Sequence, residues 1–131
     1  MENLASHATQ NLILIFLIIV FLQSSIDKVF DWKGNLSFLK EHFADTPLVS
    51  LTPFLLGTVL LSELVAGLLC SGGLFQLVVF NETDIAFYGA IMACVSLLML
   101  LFGQRLAKDY EGAKTIAVYF IPAVFLVFLL Q

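Results

Sequence analysis

The stretch PFLLGTVLLSELVAGLLCSGGLFQLVVF, Pro53–Phe80, decides what kind of object this chain is. It is the longest apolar run in the sequence. One carboxylate, Glu63, stands inside it, in the setting Leu60-Leu61-Ser62-Glu63-Leu64-Val65-Ala66-Gly67. A run of this length and apolarity predicts a helix that crosses a bilayer. An acidic residue placed there costs roughly 2.5–3.5 kcal/mol on insertion scales unless it finds a partner. Such residues face the interior of a helix bundle, so Glu63 is the first candidate for a functional or structural polar site.

Composition extends this reading to the whole chain. Of 131 residues, 60% are hydrophobic and only 12% are charged. A soluble domain carries about 25% charged residues, and a soluble chain this short could not cover so much apolar surface. Lipid is therefore the expected solvent. The net charge of −4 and the lack of a basic run exclude a nucleic-acid partner. The segment Met1–Gln10 carries no Lys or Arg, so it lacks the basic start of a cleavable signal peptide, and the first apolar run is read as a retained span.

Four spans are expected, at about 11–30, 47–80, 85–103 and 110–130, forming one all-α transmembrane bundle over residues 1–131. Pro53 and Gly72-Gly73 are expected to kink or interrupt the second span. Asp109 is a plausible N-cap for the fourth, Glu111 suits its first turn, and Pro122 predicts a kink within it. The segment Asn35–Asp45 places Leu36, Leu39 and Phe43 at helical spacing with Lys40 and Glu41 between them. That pattern predicts a short amphipathic helix on the membrane interface after the first span.

The basic residues set the orientation. Lys28, Lys33 and Lys40 follow the first span, and Arg105, Lys108 and Lys114 lie between the third and fourth. All six fall on one side of a four-span arrangement. The positive-inside rule puts loops 31–46 and 104–114 in the cytoplasm and both termini outside, in a bacterial inner membrane. The Asn81–Asp84 turn is short enough only for an antiparallel helix hairpin; its Asn81-Glu82-Thr83 sequon is a match of low specificity.

Small and polar faces suggest how the spans pack. Gln23, Ser24, Asp27, Lys28 and Asp31 form a polar stripe on the first helix that should face protein. Glu63, Ala66, Gly67, Cys70 and Ser71 make a small-residue face on the second, and Ala86, Gly89, Ala90 and Ala93 make one on the third. These faces predict close packing of the second and third helices. Counting along the helices puts Glu63 and Lys28 at the same depth, roughly 25 Å from the outer boundary at ~1.5 Å per residue. A Glu63–Lys28 pair is then reasonable, with Gln23 and Asp27 nearby, and Arg105 is a second candidate partner. A structural ion pair, a site for a polar headgroup, quinone or ion, and proton handling all stay open for Glu63. Cys70 and Cys94 lie 12 residues either side of position 82, at equal depth. They are read either as a membrane dithiol or as small core residues.

Other chemistry is absent from the sequence pattern. His7 and His42 lie outside the spans, which removes a bis-histidine haem site within the bilayer. No metal-ligand spacing, phosphate loop or catalytic carboxylate pair is present. The 13 phenylalanines suit lipid contact, core packing or contact with another membrane subunit.

Two segments are similar to a known family. Phe21-Leu22-Gln23-Ser24-Ser25-Ile26-Asp27-Lys28-Val29-Phe30 resembles the end of the first helix in DoxX-like membrane proteins, where a small residue precedes a lysine by three. Ser62-Glu63-Leu64-Val65-Ala66-Gly67-Leu68-Leu69, followed by Gly72-Gly73, resembles that family's second-helix motif of a glutamate with glycines downstream. Lys28 and Glu63 are the positions that carry over. Many relatives have an arginine early in the first helix and a glycine at the position of Ser25. Asn11–Leu22 has no arginine, so the glutamate must use Lys28 or Arg105 instead. The resemblance implies a small four-helix membrane protein, some of whose relatives are linked to quinone-coupled sulfur oxidation or redox-protective complexes.

The expected function is therefore an accessory subunit of a larger membrane assembly, respiratory or redox and quinone-linked. It has no cofactor within the chain, no self-contained active site, and lipid or quinone as its small-molecule partner. Two alternatives stand beside it. One is a membrane oxidoreductase using a thiol or quinone site; the other is a small carrier with a polar pocket around Gln23, Lys28 and Glu63.

Overall fold

The structure, a computed structural model, describes residues 6–131; Met1–Ala5 of the N-terminal segment lie outside them. Among the described residues five α-helices follow one another: α1 (Ala8–Phe30), α2 (Trp32–His42), α3 (Thr52–Phe80), α4 (Asp84–Leu106) and α5 (Tyr110–Leu130). A single 3-10 turn, Val49–Leu51, leads into α3. Among the described residues there is no strand. With the 3-10 turn counted into α3, four of the helices are long and apolar enough to cross a membrane.

Each helix boundary has a local cause. Asp31 separates α1 from α2 and caps the latter, its carboxylate accepting from the Gly34 N–H at 3.3 Å. The short helix is thus present, but it starts at Trp32 and stops at His42. Phe43 ends it: its N–H still bonds back to the Leu39 carbonyl, and its ring turns into the core. Asp109 caps α5 as expected, its Oδ1 accepting from the Gly112 N–H at 2.9 Å.

Two expected interruptions of the second span are corrected. Pro53 lies in the first turn of α3, where a missing N–H leaves no helical bond unmade. It starts the helix instead of bending it. Gly72-Gly73 does not break the helix either, which runs on to Phe80. The pair serves packing: a Cβ at Gly73 would fall on the backbone of Ala86, within 2.6 Å of its nitrogen. The helix ends where Asn81 adopts a left-handed conformation, φ 56°, a state asparagine tolerates better than most residues. The α3–α4 hairpin is then tied by Gln76, whose Oε1 accepts from the Ile85 N–H and whose Nε2 donates to Glu82, both at 3.0 Å. α5 continues through Pro122.

The chain packs as a four-helix ring in which α3 lies between α1 and α4, and α4 between α3 and α5. α5 closes the ring against α1, where Phe16 and Tyr119 meet edge to face at 5.9 Å. The small-residue faces do the packing. A Cβ at Gly89 would stand 2.9 Å from the Cys70 backbone nitrogen, and one at Gly67 would strike Leu22. The core is filled by Leu14, Leu17, Phe21, Leu77, Leu97 and Leu126, with alanines between them. Large apolar side chains also cover the outside: Phe54, Leu68 and Phe128 are all more than 60% exposed. A bundle that is apolar both inside and out suits a lipid or protein environment, not water.

Candidate functional site

Glu63 lies on the buried face of α3, four residues before Gly67, where the small residues let α1 come close. Its Oε2 accepts from Lys28 Nζ on α1 at 3.3 Å. The carboxylate side chain is 2% exposed and the lysine 17%. Lys28 also donates to the Ser24 hydroxyl one turn earlier, at 2.6 Å. Two of its three N–H groups are thereby placed. The pair sits toward the end of the bundle that carries α2.

The other candidates divide around this pair. Gln23 and Asp27 are exposed on α1, but with Ser24, Glu63 and Tyr119 they line a cavity of about 460 Å³. The expectation that the whole polar stripe faces protein is therefore corrected: Gln23, Asp27 and Asp31 are exposed and Ser24 and Lys28 half-buried. Ser25, outside the stripe, is fully buried. The cause is register. Ser25 continues the Leu14–Leu17–Phe21 face of α1, and its hydroxyl is satisfied by the Phe21 carbonyl at 2.6 Å.

Arg105 is not a partner of Glu63. It is exposed at the end of α4, with its guanidinium 5.1 Å from the centre of the Tyr110 ring. Cys70 and Cys94 are both free thiols. Cys70 is fully buried against Gly89, and Cys94 is partly buried on α4. Among the described residues, no group of three His, Cys, Asp or Glu side chains could hold a metal ion.

Two features were not read from the sequence. The first is a polar link between loops. His42 Nε2 lies 2.7 Å from Gln104 Oε1 and 3.7 Å from Asp109 Oδ2, and the ring stacks on Phe38. This ties the end of α2 to the α4–α5 connection. The available signal was topological, since positions 42, 104 and 109 all fall in the two loops that share a side. The second is a larger cavity of about 600 Å³ between α2, α3 and α4. Its walls are apolar, from Phe38, Leu39, Leu55, Val59, Met99 and Phe102 among others, and Lys28 reaches its lining. No periodicity announces such a space, because it arises from where α2 lies across two other helices.

The Lys28–Glu63 pair therefore touches two cavities of different character, Lys28 lining the larger and Glu63 the smaller. Comparison with protein-family models, curated proteins and solved structures gives no match to this chain.

Proposed function

We propose that this chain is a multi-pass membrane protein of DoxX-like type that works as an accessory subunit of a larger membrane assembly, respiratory or redox and quinone-linked. Its own part is to hold an amphiphile, a lipid or a quinone, beside the interfacial helix α2. The observation that carries this reading is the apolar cavity of about 600 Å³ under α2. That volume falls in the usual range of small-molecule sites, about 300–1,000 Å³. The exposed apolar faces of the four long helices support contact with lipid and with other subunits. The six cations at one end of the bundle support a bacterial inner-membrane orientation with both termini outside.

Extraction of the tagged chain from native membranes in mild detergent tests both parts. The expected result is a complex larger than the monomer, carrying extractable lipid or quinone. A lone monomer with an empty cavity overturns the proposal.

A second reading, a small carrier, draws support from the other cavity. Gln23, Ser24, Asp27 and Glu63 line it beside Ile19, Leu97 and Ile116, so its wall is more polar than that of the first. Solute flux into proteoliposomes, abolished by Glu63→Gln, would favour that reading over the first.

A further inference from the structure

The two cavities on either side of the Lys28–Glu63 pair differ in charge, Lys28 lining the larger and Glu63 the smaller. Asp27 and Glu63 both line the smaller one. No Asp or Glu lines the larger one, whose ionisable side chains are Lys28 and His42. Other polar groups on its wall each make at least one hydrogen bond. The Thr58 hydroxyl donates to the Phe54 carbonyl, the Asn35 amide donates to the Asp31 carbonyl, and His42 is engaged with Gln104. Lys28 is the one lysine or arginine on that wall, and Ser24 and Glu63 take two of its three N–H groups.

The size of the space limits the tail. A methylene fills about the liquid volume of a water, about 30 Å³, so 600 Å³ holds about 20 such groups. One long acyl chain matches that volume. The position limits the head. The cavity runs from the interfacial helix α2 along the walls of α3 and α4, and Lys28 lines it, so a tail lying between the spans can bring its head within reach of the ammonium.

We propose that this cavity binds a single-chain fatty carboxylate, with the acyl chain along α3 and α4 and the headgroup on the third N–H of Lys28. This rests on the amphiphile-binding reading above and names its ligand class. Charge assistance is what separates this ligand from a neutral one of equal length. Glu63 has an opposite effect. Sharing the same ammonium, it opposes the incoming anion and sets the affinity.

The test uses the full chain in mild detergent with a photoactivatable 16-carbon fatty acid and the matching fatty alcohol, both mapped by peptide mass spectrometry. The acid is expected to label the α2–α4 lining at least ten-fold more strongly than the alcohol at neutral pH. Lys28→Gln should bring the acid down to the level of the alcohol, and Glu63→Gln should raise acid labelling several-fold. Equal labelling by acid and alcohol in the unmodified protein overturns the carboxylate proposal while leaving amphiphile binding intact. So does displacement of the acid by a two-chain anionic phospholipid but not by excess free fatty acid. Labelling by neither probe overturns this inference, while lipid or quinone extracted with the native chain would still uphold the amphiphile reading. The acid–alcohol comparison needs no variant, so it stands even if Lys28→Gln fails to fold.

Discussion

Lys28 on α1 holds Glu63 on α3 at 3.3 Å, with the ammonium lining the larger cavity and the buried carboxylate the smaller one. The contact spans 35 residues of chain and joins two helices that also meet where Leu22 packs on Gly67. Its two ends are not equivalent in their exposure, and their removal should not cost the same.

Lys28→Met leaves a buried carboxylate without its cation, and breaking a buried pair from one side costs about 3–5 kcal/mol. Glu63→Gln keeps the shape and an acceptor for Lys28, whose ammonium has some access to solvent, so about 1 kcal/mol is expected. The double variant should be less destabilised than Lys28→Met alone. Unfolding in detergent, followed by circular dichroism, measures all three. Equal losses for the two single variants would show that burial of the carboxylate does not set the cost.

The glycine pair in α3 offers a sharper contrast. A Cβ at Gly73 would lie on the Ala86 backbone, whereas one at Gly72 would rest 3.5 Å from Ile85 Cγ2. Backbone cannot move aside as a flexible side chain can. Gly73→Ala should cost about 1–3 kcal/mol through overpacking, and Gly72→Ala should be neutral or gain from better helix propensity. Thermal midpoints of the two variants, measured side by side, decide this. A drop for Gly72→Ala as large as that for Gly73→Ala would mean that α3 and α4 do not meet along this face.

The difference between those glycines marks how far the sequence could be read. Apolar runs, the Asp109 cap and the short turn at 81–84 placed all four long helices, because these signals are local. The depth count brought Lys28 level with Glu63, since helical rise is constant. Pro53 and Gly72-Gly73 misled for opposite reasons. A proline's effect depends on where the first turn begins, within a residue or two, and a glycine's on what stands opposite. Gln23 and Asp27 were assigned to the protein interior because a polar stripe has a direction but no partner until the neighbouring helices are placed. The cavity under α2 and the His42–Gln104 bond belong to the crossing of separate elements, and nothing in the local pattern encodes that crossing.

Arg105 shows the same limit and yields its own prediction. It is exposed and stacked on Tyr110, away from Glu63. An exposed cation–π contact contributes about 0.5–1 kcal/mol. Arg105→Gln should therefore shift stability by no more than that and leave the effect of Glu63→Gln unchanged. A double-mutant cycle between positions 63 and 105 gives the answer. A coupling above about 1 kcal/mol would return Arg105 to the Glu63 site.

The orientation can be tested residue by residue. Single cysteines are placed at Lys40, Glu82 and Lys114 in a Cys70→Ala, Cys94→Ala background and exposed to a membrane-impermeant maleimide in intact cells. Lys40 lies in α2, Glu82 in the α3–α4 hairpin and Lys114 near the start of α5, so the helices place Glu82 at the end of the bundle opposite the other two. The distribution of all six cations predicts labelling at position 82 from outside, and at 40 and 114 only after the membrane is opened. Labelling of 40 and 114 but not 82 in intact cells would invert the orientation and put the cavity under α2 at the outer face. Labelling of all three from one side would mean that α3 and α4 do not cross at all.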